Sequence, residues 1–162
     1  MTKFYHFISV LFIMKDSQNT VINTTFGAFP IIMGYFKYIG SLKSKLDHSL
    51  AFLAGIISFL ILIVKHIWAL DIAHFLYVFV YLFTVTFLSI NPHLLGLNVL
   101  MIGLIILSRY YYRTCILNAK QNNKGFFTEL NAIIMQKVPH PNWDYKFSAL
   151  FIFSIYRFLK YF

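Results

Sequence analysis

The sequence predicts an all-α, polytopic helical membrane protein with three to five transmembrane helices and one short amphipathic surface helix. Three observations lead there. Hydrophobic residues make up 59% of the 162-residue chain and charged residues 12%, where a soluble domain has roughly 45–50% and about 25%. So short a chain has too much surface per volume to hide that much apolar material from water. Second, positions 50 to 90 form one mainly apolar stretch. As a single helix it would be about 60 Å long, twice the hydrocarbon thickness of a bilayer, so it divides into two spans. Third, the break at Asn91-Pro92 is followed by another long apolar run.

The elements follow in order. Phe4 to Met14 is apolar but too short to cross a bilayer, and no small-residue cleavage site follows it. It reads as an interfacial segment, followed by a polar loop at 16–25. The stretch 26–40 contains Gly27, Pro30, Gly34 and Gly40, which weigh against a firm helix. It is a doubtful span, followed by a basic loop through Lys43, Lys45 and Asp47. The first two strong spans fall at about 50–69 and 71–90. The turn between them is expected near Lys65–Asp71, where Lys65, His66, Trp68 and Asp71 make the mixture typical of a membrane–water interface. Asp71, the one acid in the apolar stretch, fits that turn, with Lys65 as its natural partner; the alternative is a proton path or ion site within the membrane.

Proline cannot continue a helix, so Asn91-Pro92 separates the second strong span from the third, at 94–113. The third span ends in Arg109, Tyr110, Tyr111, Tyr112 and Arg113. Together with Trp68 these are the expected lipid-interface anchors. Residues 118–141 comprise a polar loop and a short helix. Its Phe126, Phe127, Leu130, Ile133 and Ile134 share one face. The last segment, 142–162, opens on Asn142 as a helix cap and offers an apolar helix from 145 that is marginally long enough to be a further span, with Arg157 and Lys160 snorkelling near its end. The chain thus divides into an N-terminal segment (1–48), a three-span core (49–117), the loop and amphipathic helix (118–141) and a C-terminal apolar helix (142–162).

The net charge of +9 fits lysines and arginines flanking the spans, which attract anionic lipids, rather than a nucleic-acid surface. The larger basic cluster, from Arg109 to Lys124, is expected on the cytoplasmic or matrix side. Phe, Tyr and Ile total 51 residues against 15 for Ala and Gly, a bias toward A/T-rich codons that fits an organelle, an endosymbiont, a protist or a large virus. The single cysteine, Cys115, excludes an intrachain disulfide.

Of the six histidines, His48, His74 and His93 are the candidates for binding a b-type haem, because such a haem takes imidazoles from facing helices. An interfacial position explains the same residues without a cofactor. No nucleophile elbow, zinc-protease, phosphate-loop or dinucleotide motif is present. Five acidic residues in all leave few groups for acid–base catalysis, so no catalytic residue is expected.

Pro30, Tyr35, Ser41 and Ser44, ahead of the first strong span, resemble the segment before the first helix of succinate dehydrogenase cytochrome b anchors. In that family Ser-x-x-His-Arg follows and helps to hold quinone. Here Ser44 is followed by Lys45-Leu46-Asp47-His48, and the region after the second span reads Pro92-His93-Leu94 without the family's Arg-His. The resemblance implies three spans and a haem- or quinone-binding anchor of an oxidoreductase.

The leading expectation is a small non-catalytic subunit of a larger membrane complex, with other membrane subunits as partners. Its expected location is the mitochondrial inner membrane, within the respiratory chain. The alternatives are the haem- or quinone-binding anchor and a stand-alone viral or protist membrane protein.

Overall fold

The computed structural model describes residues 2–64, 66–112 and 143–162. Every regular element among them is helical. Five helices are numbered here: α1 (Thr2–Tyr38), α2 (Lys45–Leu62), α3 (Ile67–Leu88), α4 (Pro92–Tyr112) and α5 (Trp143–Tyr161). Among the described residues, three stretches are long and apolar enough to cross a membrane: Lys45–Leu62, Ile67–Leu88 and Pro92–Tyr111. They match the three strong spans, each shifted a few residues toward the N-terminus. The expected amphipathic helix within 118–141, with Cys115 and Arg113, lies outside the described residues.

The N-terminal third departs most from expectation. The loop at 16–25 and the separate segments on either side of it are instead one continuous helix, α1. Its 37 residues extend about 55 Å at 1.5 Å per residue. Ser, Thr, Asn, Gly and Pro disfavour helix only by local and mostly modest amounts. Against them stands burial: Ile22, Phe26, Phe29 and Met33 fall on one face and are all but inaccessible. Phe26 meets the Tyr77 ring edge-on at 5.1 Å, and Phe29 meets Tyr81 at 5.0 Å. Pro30 lies on the exposed side, where its missing N–H disturbs no packing. The helix ends in a glycine-dependent motif. Gly40 has φ +68°, its N–H donates to the Lys37 carbonyl, and the Ser41 N–H donates to the Phe36 carbonyl at 3.0 Å. That is the Schellman pattern, and the positive φ is why glycine stands there.

The turn between α2 and α3 is earlier than expected, between Leu62 and Ile67. The His66 ring caps α3, its Nδ1 accepting from the Trp68 N–H at 3.3 Å. Asp71 is therefore not a turn residue. It sits in the second turn of α3, 2% exposed and engaged by a partner. Composition alone misplaced the turn, because no Gly or Pro marks it. Within α3 the backbone widens to π-helical hydrogen bonding over Leu76–Leu82, flanked by ordinary α-helix.

Short connections make α1 to α4 run alternately up and down. α5 packs chiefly on α4. Two glycines of α4 set that contact: a Cβ at Gly96 would lie 3.1 Å from Phe158 Cε2, and one at Gly103 would lie 3.4 Å from Phe151 Cε2. Gly96→Val adds branched bulk where the Phe158 ring already sits. Overpacking of this kind costs roughly 1–3 kcal/mol. Limited proteolysis is expected to cut α5 faster in this variant, with a lower denaturation midpoint. Unchanged cleavage and midpoint would mean that Phe158 swings aside freely.

The outer surface is apolar and aromatic. Phe75, Phe79, Phe83 and Phe87 recur every four residues along α3, exposed and stacked at centroid distances of 5.5, 6.4 and 5.8 Å. Phe153 of α5 extends the ladder, 5.3 Å from Phe87.

Candidate functional site: two buried polar clusters

The first cluster lies at the end of the bundle where α1 and α3 finish and α2 and α4 begin. α2 opens with a capping box. Ser44 Oγ accepts from the Asp47 N–H at 3.0 Å, and Asp47 Oδ2 accepts from the Ser44 N–H at 3.1 Å. Each side chain thereby satisfies a donor that the helix start leaves unpaired. The Lys43 N–H adds a third bond to the box, also at 3.1 Å from Asp47 Oδ2. α4 opens with a different cap: Asn91 Oδ1 accepts from the N–H groups of His93 at 3.0 Å and Leu94 at 3.4 Å. Pro92 takes the first helical position, where no N–H is needed.

The two caps are joined. Asn91 Nδ2 donates to Asp47 Oδ2 at 3.2 Å and to the Ser41 carbonyl at 2.8 Å. Ser89, just past the end of α3, accepts the Asn91 N–H on its Oγ at 3.2 Å. Its carbonyl accepts Nη2 of Arg157, from the last turns of α5. A cation on a terminal helix carbonyl is favourable both as a hydrogen bond and toward the helix dipole. One connected cluster therefore ties the ends of all five helices, with Asp47, Ser89 and Asn91 buried.

The second cluster lies inside the bundle. Asn98 of α4 donates from Nδ2 to Thr86 Oγ1 of α3 at 2.7 Å and to Ser154 Oγ of α5 at 3.3 Å. The two hydroxyls are 3.0 Å apart. All three residues are fully buried, so the triad ties three helices together at a depth where water cannot compete. Four buried side-chain atoms have no hydrogen-bond partner among the described residues: Ser58 Oγ, Tyr81 Oη, Asn98 Oδ1 and Arg157 Nε.

The histidines singled out from sequence do not converge. His48 and His93 sit in the first turns of α2 and α4, exposed, around the end cluster. The His93 ring packs on Phe36 at 5.3 Å. His74 is half-buried in α3, which starts from the opposite end. About 20 Å of helix separates it from Ser89. His74 therefore lies at a different level of the bundle from His48 and His93. Of the anchors, Trp68, Tyr110 and Tyr111 are exposed at that opposite end. Arg109 is half-buried, its guanidinium 6.0 Å from the Phe147 ring centroid. Tyr112 closes α4.

Sequence reasoning passed over most of these polar residues. The Ser44/Asp47 spacing is a capping-box signature, and Asn98 is conspicuous as the one amide inside a long apolar run. Neither signal names its partner on another helix. Between α1, α3 and α4 lies a small, nearly all-apolar cleft of about 30 Å³, lined by Phe26, Tyr77, Met101 and Ile105 among others, with the hydroxyls of Thr25 and Ser108 at its walls. Its volume suits a methyl group or a water molecule, not a cofactor ring. Comparison with protein-family models, curated proteins and solved structures returned no match.

Proposed function

We propose that the chain is a non-catalytic, membrane-spanning subunit of a larger membrane complex, organellar and of the respiratory type. The observation that carries this reading is how polar and apolar groups are divided. The hydrogen-bonding side chains of both clusters are directed inward, toward neighbouring helices of the same chain. The outside presents stacked aromatics and aliphatics such as Phe79, Phe83, Leu100 and Leu107. Such a surface suits lipid and the flanks of other membrane helices, and the clusters suit a scaffold holding one fixed arrangement. The organellar and respiratory part rests on the codon-linked composition alone.

The test is native electrophoresis of the tagged chain, extracted from its own membranes in mild detergent. The expected result is a high-mass band containing other membrane subunits, recovered in the organelle fraction. Migration as a lone monomer would overturn the subunit reading. A band confined to another membrane would overturn the organellar one.

A further inference from the structure

We infer that the end of the bundle carrying the Ser44, Asp47 and Asn91 cluster binds the headgroup of an anionic phospholipid, with Lys43, Lys45, Arg157 and Lys160 as its cations. This rests on the membrane-spanning reading but not on membership of a complex.

The charge at this end is one-sided. Lys37 lies in the last turn of α1, Lys43 and Lys45 flank the start of α2, and Arg157 and Lys160 lie in the last turns of α5. Lys37, Lys43, Lys45 and Lys160 are exposed. Arg157 is half-buried and held in place, with Nη2 on the Ser89 carbonyl and its guanidinium 4.9 Å from the Tyr161 ring centroid. The chain of hydrogen bonds from the Lys43 N–H through Asp47, Asn91 and Ser89 to Arg157 crosses this end of the bundle, so the α2 and α5 cations lie around the rim of the same end.

The one side-chain carboxylate described at this end, that of Asp47, offsets only one of these five charges. Asp47 is buried and turned inward, and the donors that meet it are two backbone N–H groups and an amide. The neighbouring cations are left to attract an anion from outside.

The surroundings favour lipid over an acidic peptide. Tyr35, Tyr38 and Phe162 are exposed at the same level, as aromatic side chains are at headgroup height. Below them runs the apolar outer surface, where acyl chains would lie. Phosphates at the rim would meet these cations while their acyl chains follow the outer faces of α2 and α5.

The test uses the full chain, purified in neutral detergent and titrated with phosphatidylglycerol. The readouts are the thermal midpoint and retained lipid by native mass spectrometry. Phosphatidylglycerol is expected to be retained and to raise the midpoint, and phosphatidylcholine to do neither. Each lysine or arginine near an anionic headgroup contributes enough that losing two weakens binding by roughly 10- to 30-fold. Lys43→Gln with Lys45→Gln should show that loss, and Lys160→Gln alone a smaller one. Both variants leave the end cluster's side-chain bonds intact. Equal retention of both lipids, or full retention by the double variant, would overturn the assignment. So would glycerol phosphate or polyglutamate displacing the lipid at matched ionic strength, since either would name another anion as the occupant. Flotation of the chain with phosphatidylcholine vesicles after a carbonate wash tests the membrane reading by itself.

Discussion

Asn91→Ala is expected to destabilise the folded bundle by about 3 kcal/mol, measured by denaturant titration in mixed micelles. The magnitude is built from four hydrogen bonds. Two are the cap of α4, where Oδ1 accepts from the His93 and Leu94 N–H groups. Replacing an asparagine cap by alanine costs about 1 kcal/mol. The other two run from Nδ2 to the Ser41 carbonyl and to Asp47 Oδ2. Removing one partner of a buried polar pair costs about 1–3 kcal/mol, because the group left behind stays desolvated, and a charged acceptor raises the figure. Asn91→Asp separates the two contributions. It keeps an oxygen for the cap but sets a second carboxylate against Asp47, so it should be at least as damaging as alanine. A variant that unfolds like the wild type would show that the end cluster only reports the fold.

The same residue shows how far the sequence can be read. Asn91-Pro92 marks a helix boundary because both effects are local: an amide oxygen over free N–H groups, and a proline where no N–H is needed. Ser44 and Asp47 carry a local signature too, three residues apart. That the two caps bond to each other is a separate matter. It depends on α2 and α4 starting at the same end of the bundle, and therefore on α3 crossing back between them. α1 illustrates the opposite failure. The Ser, Thr and Asn residues before Phe26, with the glycines and Pro30 after it, suggest interruptions. Their helix penalties are overridden by Phe26 and Phe29 packing on Tyr77 and Tyr81, about fifty residues away. The histidines stand out in the sequence because of their chemistry, yet neither His48, His74 nor His93 contributes a side chain to either buried cluster. The residues that do are serines, threonine, asparagines, one aspartate and one arginine, whose importance comes from burial.

Tyr81 gives the sharpest contrast between side chain and functional group. It lies in the π-helical part of α3, fully buried, edge-on to Phe29 at 5.0 Å and stacked with Tyr77 at 6.5 Å. Tyr81→Ala removes the ring from the centre of α1, α2 and α3 and is expected to cost about 3–5 kcal/mol, as for other buried aromatic truncations. Tyr81→Phe keeps the ring and removes only Oη, a buried atom without a partner among the described residues. A desolvated hydroxyl with no hydrogen bond is a cost to the folded state. The phenylalanine variant should therefore match the wild type or exceed it by up to about 1 kcal/mol in the same titration. Together the two substitutions assign the residue's contribution to packing of its ring. A clear loss of stability in Tyr81→Phe would reverse that assignment. Oη would then be bonded in the folded protein, to an ordered water or a bound molecule, and a polar site would exist at the bundle centre. π-Helical turns recur at functional sites, so this small substitution also tests whether the widened turn of α3 serves more than packing.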